Sequence, residues 1–232
     1  MIQVRRSEDR GDANHGWLKS KHTFSFADYH DEKYMGFGPL RVINEDRIEG
    51  GKGFGTHGHR DMEIISYVVD GALQHRDSMG NEAVIRPGEV QRMSAGTGVR
   101  HSEMNDLKDR VTHFLQIWIM PDAQGLAPGY GQKDFSNDFG CSDMILVASH
   151  KGRNGSITLN QDVDMYVTHA PEAGEKHLKT FTHRHLWVQV IKGRVLVEGE
   201  TLAAGDGAGI QGVETLALKW DAGTEFIFFD MP

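Results

Sequence analysis

"MEIISYVVDGALQHRDSMGNEAVIRPGEVQRMSAGTG", residues 62–98, decides the fold. Short runs rich in Ile, Val and Tyr alternate with turns that carry Gly, so the stretch reads as strand, turn, strand, hairpin, strand, turn, strand. That rhythm predicts an antiparallel all-β sandwich or barrel. Residues 187–212, "WVQVIKGRVLVEGETLAAGDGAGIQG", repeat the order. Laying Gly71 on Gly193 and Gly88 on Gly205 gives two halves of one shape and little identity, which predicts an internal duplication. The polar, turn-rich segment 120–137, "MPDAQGLAPGYGQKDFSN", is the expected connection, dividing the chain into barrels over 1–130 and 131–232. Residues 15–47, where Trp, Phe and Tyr mix with His and Asp, are expected to pack over the first barrel.

A chain of 232 residues buries a real core in either one large domain or two ordinary ones. A formal charge of −8, from 33 acidic and 25 basic residues, argues against nucleic acid, whose phosphates require a basic face. It leaves a small molecule as the expected partner. The start "MIQVRRSEDRG" is charged, and no apolar run of the roughly 18 residues that span a bilayer occurs. A soluble, cytoplasmic protein without membrane contact is expected. Cys141 is the only cysteine, which excludes an intrachain disulfide and a cysteine-based zinc cluster; it is expected to be an unreactive, half-buried thiol.

Upstream of residue 62, "THGH" places His57 and His59 two apart, and on a strand such residues project from one face. Beyond residue 98, "VRHSEMN" places His101 and Glu103 two apart in the same way, again beside a Gly turn. On neighbouring strands of a barrel the two pairs converge as three imidazoles and one carboxylate. Such a donor set suits a divalent first-row transition metal and leaves positions open for substrate or water.

The spacing Gly51, His57, His59, Glu63 matches the first motif of the cupins, and Gly88, "SAG", His101, Asn105 approximates the second. Gly71 comes one residue late, Ser94 stands where Pro is usual, and two extra residues precede His101. These departures resemble the pirin family, whose signature is similar to residues 56–105 almost throughout. Residues 15–47 resemble the bacterial branch that includes quercetin 2,3-dioxygenases.

The resemblance implies a bicupin: two tandem jelly-roll (double-stranded β-helix) barrels, the first metal-binding and the second metal-free. It implies one divalent cation, whether iron, copper, manganese, nickel or cobalt, on His57, His59, His101 and Glu103. Ordinary cupins take their carboxylate from the position of Glu63, whose four-residue offset from His59 is expected to keep it on the same strand face; the "HSE" pattern of pirins favours Glu103, leaving Glu63 to orient an imidazole N–H. The implied activity opens the central ring of a flavonol such as quercetin with dioxygen, releasing carbon monoxide and leaving a depside ester. Glu103 is then the catalytic proton acceptor. The alternatives are a non-enzymatic, iron-dependent partner of transcription regulators or redox sensor, or a cupin enzyme acting on another small aromatic substrate. A monomer is favoured, because a chain with two barrels has less need of a partner.

In the second half, His183 and His185 form another His-x-His, but the alignment on the Gly turns puts Lys179 and Phe181 opposite His57 and His59. No His-x-Glu follows, so that barrel is read as metal-free. His15, His22, His30, His75, His113, His150, His169 and His177 lack a partner at ligand spacing and are expected to be structural or at the surface.

Overall fold

The computed structural model describes residues 1–141 and 143–232. The chain is nearly all β and forms two compact units, as expected of a bicupin. Among the described residues the helices are one-turn 3-10 segments, and none is long and apolar enough to cross a membrane.

The first unit comprises Gly11–Ser136 and Ile157–Gln161. One sheet runs in the order Gly129–Asp134, Glu89–Ser94, Glu63–Asp70, Thr112–Ile119, Leu40–Ile48, Leu18–His22, Gly11–Asn14. The other runs Gly53–His59, Val99–Asn105, Leu73–Asp77, Glu82–Ile85. Alternation along the strands supplies an apolar interior, where Val68 and Phe114 of the first sheet pack with Leu73 and Ile85 of the second.

The second unit comprises Met1–Arg10, Asn137–Ser156 and Asp162–Pro232. Its larger sheet runs Ile2–Arg5, Gly207–Gln211, His185–Lys192, Thr224–Met231, Asp164–Ala170, Met144–His150. Its smaller one runs Gly174–Lys179, Thr215–Trp220, Arg194–Val197, Glu200–Ala203. Trp220, Phe226 and Phe228 fill the space between them with Val195, Leu202 and Leu218.

A single cut after residue 130 is therefore not where contacts divide. The first strand, Ile2–Arg5, pairs with Gly207–Gln211, and Gly129–Asp134, inside the expected connection, pairs with Glu89–Ser94. Each barrel needs a strand on the same sheet edge, where backbone groups would otherwise lack partners. One barrel takes it from the chain start and the other from the connecting segment. Residues 15–47 likewise contribute paired strands, Leu18–His22 and Leu40–Ile48, rather than only a cover.

The duplication is visible atom by atom. Gly71 has φ +93° and Gly193 φ +75°, and a Cβ at either would lie 2.4 Å from the hydroxyl of Thr112 or Thr224 respectively. Each threonine hydroxyl also bridges the N–H and carbonyl of the residue after its glycine, Ala72 or Arg194. Only glycine suits a left-handed turn pressed this closely against a neighbour. Gly71→Ala and Gly193→Ala are each expected to cost about 1–3 kcal/mol, read as a lowered urea midpoint; an unchanged midpoint would show that the turn relaxes freely.

Candidate metal centre

The strands Gly53–His59 and Val99–Asn105 are antiparallel neighbours, with His57 directly opposite His101 and His59 opposite Val99. The pairing shifts between His101 and Glu103, where the His57 strand carries an extra residue. Such a bulge twists a strand and re-aims its side chains. The result brings the ligating atoms of His57, His59 and His101 within 4.8 Å of one another. The His57 Nδ1–H donates to the Gly55 carbonyl at 2.8 Å, which leaves the Nε2 lone pair free for a cation.

His57 Nε2 and His101 Nε2 lie 3.1 Å apart. Two imidazole nitrogens bound about 2.1 Å from one ion, at right angles, lie roughly 3 Å apart, so the donors fit a divalent metal. Burial, reinforced by the positive charge each imidazole would present to the others, pushes His59 down to about 4 and His101 to about 3. Both are thus neutral, ligand-ready imidazoles at pH 7.

Glu103 is 1% exposed and stands beside this trio rather than within it. Its Oε1 accepts from the Ser66 hydroxyl at 3.1 Å and its Oε2 from the Gln116 amide at 2.6 Å. Both donors belong to a row of paired polar residues across the larger sheet: His22, Asn44, Gln116, Ser66, Gln91 and Gln132.

Glu63 does not orient an imidazole. After His59 the chain turns through Asp61, with φ +47°, and Glu63 begins a strand of the other sheet. The four-residue offset therefore does not preserve a strand face. The Glu63 carboxylate instead accepts from Ser94 Oγ at 2.9 Å and Asn160 Nδ2 at 3.1 Å, tying Ile157–Gln161 to its unit.

Strand pairing also corrects the alignment of the two barrels. Leu73 opposite Asn105 corresponds to Val195 opposite Trp220. Counting along the strands, His101 opposite His57 becomes Leu216 opposite Leu178, and Glu103 becomes Leu218. Leu178 and Thr180, not Lys179 and Phe181, occupy the places of His57 and His59. The polar row becomes Tyr166, Phe228, Val188, Ala208 and Val4, all packed in the apolar interior. Phe181 is 67% exposed and stacks on His183 away from that interior. Cys141 is exposed rather than half-buried.

His57 and His59 border a cavity of about 680 Å³, while His101 is buried. Trp17, Phe26, Tyr29, Phe54 and Trp118 form its aromatic walls. Its polar lining includes Asp46, Asn44 and Glu103, together with His15 and His22, two histidines whose spacing carried no ligand signal. His75 is fully buried, bonded to Asp77 at 3.1 Å, with its ring 5.3 Å from that of His101.

The family described as Pirin matches residues 3–119, and that described as the quercetinase C-terminal cupin domain matches 146–231. Quercetin 2,3-dioxygenase of Escherichia coli (strain K12) is 44% identical over 232 residues, covering 100% of this chain and 99% of the relative. The crystal structure of the bacterial pirin YhhW from Escherichia coli in complex with nickel(II) is 44% identical, covers 100% of this chain and 99% of that one, and has a TM-score of 0.95. A quercetin 2,3-dioxygenase from Acinetobacter baumannii shares the fold at 18% identity, with a TM-score of 0.79 over 99% of this chain and 85% of its own.

The depressed imidazoles make the metal-free protein acid-sensitive. From pH 6.5 down to about 4, His59 and His101 are protonated in the unfolded chain but not in the folded one, so stability falls with pH. Asp46 acts oppositely: burial raises its carboxyl from 3.8 to about 7, so its contribution is present below 3.8 and lost as pH rises through 7. Urea midpoints of metal-free protein are expected to fall between pH 7 and pH 5, and more steeply in Asp46→Asn; equal slopes would refute the assignment of opposite signs.

Proposed function

Because the chain belongs to the pirin family, we propose that it is a metal-dependent dioxygenase that opens the central ring of a flavonol with dioxygen and releases carbon monoxide. The observation that carries the reading is the convergence of three imidazoles, those of His57 and His59 on the wall of an aromatic-lined cavity and that of His101 beside them. Its volume, about 680 Å³, lies within the range of small-molecule sites.

His57, His59 and His101 would hold one divalent ion, with Glu103 as the fourth ligand. The ion supplies a positive centre that stabilises an oxygen anion and so eases loss of a hydroxyl proton. One carboxylate leaves a single positive charge, which one flavonolate cancels. Glu103 is the proton acceptor. Its Oε2 already receives the Gln116 amide and retains a second lone pair for the proton of the flavonol 3-hydroxyl. Ser66 and Gln116 keep the carboxylate aimed while its charge changes. Trp17, Phe26 and Phe54 present ring faces and edges to a flat ligand and displace water from around it. Leu178, Thr180, Leu216 and Leu218 at the ligand positions of the second barrel support reading it as metal-free.

Quercetin mixed with metal-loaded protein under air is expected to lose its flavonol absorbance as carbon monoxide appears. His57→Ala, His59→Ala, His101→Ala and Glu103→Ala should each lose metal and at least about 100-fold in rate, whereas Glu63→Gln should retain its metal. Loss of metal from Glu63→Gln, with retention in Glu103→Gln, would reverse the carboxylate assignment. Absence of turnover by the fully metal-loaded protein would overturn the dioxygenase.

A further inference from the structure

The carboxyl of Asp46 has no part in the chemistry above, yet it lines the same cavity as His57, His59 and Glu103. It projects from the strand Leu40–Ile48 two residues after Asn44, on the same face. Asp46 is 3% exposed. The side chain of Ser20, its cross-strand neighbour, bonds to it, while its Oδ1 has no partner among the described residues. The charged groups that act on it, Glu103 and Glu45, are both negative, so it is a buried acceptor without a compensating cation. Burial, opposed by Ser20 and assisted by those two carboxylates, raises it to about 7.

Two further atoms on this wall are in the same state. Asn44 Oδ1 and Trp118 Nε1 are buried without partners among the described residues, and the Trp118 ring lies 5.0 Å from that of His59. Buried polar groups in folded proteins are almost always bonded, so a cavity wall carrying three that are not is built for a ligand. The unpaired set offers two acceptors and one donor, flanked by aromatic rings. That complement fits a planar aromatic bearing hydroxyl and carbonyl groups, and fits a purely apolar ligand or a phosphate badly.

We propose that Asp46 accepts a hydrogen bond from a phenolic hydroxyl of the substrate, other than the hydroxyl presented to the histidine cluster. Asp46 thereby sets which hydroxylated aromatics the pocket admits. The inference rests on the flavonol reading in taking the ligand to be a hydroxylated aromatic. An O–H that reaches Oδ1 completes an acceptor the protein leaves unmet; a methoxy group at that place brings no donor and leaves the carboxyl buried and unpaired.

The test is equilibrium binding under nitrogen, so that no turnover intervenes. Nickel-loaded protein is titrated with quercetin and with each of its mono-O-methyl ethers that keeps the 3-hydroxyl free, followed by quenching of tryptophan fluorescence. Wild type should bind quercetin about 10- to 100-fold more tightly than at least one ether. Asp46→Ala should lose that factor and Asp46→Asn, whose amide oxygen still accepts, only part of it. Nickel content and circular dichroism should be unchanged in both. A folded, nickel-loaded Asp46→Ala that binds quercetin like wild type overturns the proposal and leaves the dioxygenase intact. If Asp46→Ala does not fold, equal wild-type affinity for quercetin and every ether overturns it equally. A wild-type protein that binds no flavonol overturns both readings.

Discussion

A carboxylate buried inside a barrel must be met by donors, and the interior of the metal-site barrel is arranged around that requirement. Glu103 rests on Ser66 and Gln116, which face each other across two strands of the larger sheet. Those two positions fix the character of the row they belong to, so Asn44 and Gln91 beside them are polar as well. The second barrel shows the same frame without the carboxylate. Leu218 stands in the place of Glu103, Val188 and Phe228 in those of Ser66 and Gln116, and all three are core. Burying each such side chain contributes about 1.5–3 kcal/mol.

The contrast separates stability from chemistry within one duplicated fold. The shared turn, glycine against a threonine hydroxyl, serves both barrels because it answers to backbone geometry alone. The ligand positions answer to the interior, and they diverge completely. One interior holds polar groups that are mutually satisfied or open to a cavity; the other closes on aromatic and aliphatic side chains. The polar, aromatic-walled cavity therefore belongs to the first barrel, maintained at the expense of core that the second barrel retains.

The all-β class, the duplication and the three histidines were legible because each leaves a local trace. Short apolar runs punctuated by glycine announce strands, and residues two apart on a strand share a face. Glu63 misled because that rule holds only while the strand continues, and a single left-handed residue, Asp61, ends it. Lys179 and Phe181 misled for a related reason. A register error of one residue exchanges inside for outside, and only the cross-strand partner, Leu216 opposite Leu178, fixes it. The polar wall was hidden in "LRVINEDRI", where Asn44 and Asp46 look like the solvent side of a strand and in fact face the cavity.

By itself, then, the sequence determined the kind of strand, the places where the chain turns, and the residue types able to bind a metal, since these depend on neighbours a few positions away. The tertiary structure decided which strand completes each barrel, which carboxylate lies beside the imidazoles, and which polar residues are buried. Those outcomes depend on pairing between segments far apart in the chain: Ile2–Arg5 against Gly207–Gln211, Gly53–His59 against Val99–Asn105, and Asn160 against Glu63. Nothing local to either member of such a pair encodes its partner, because the pairing is selected only when the whole interior is filled and its polar groups are satisfied.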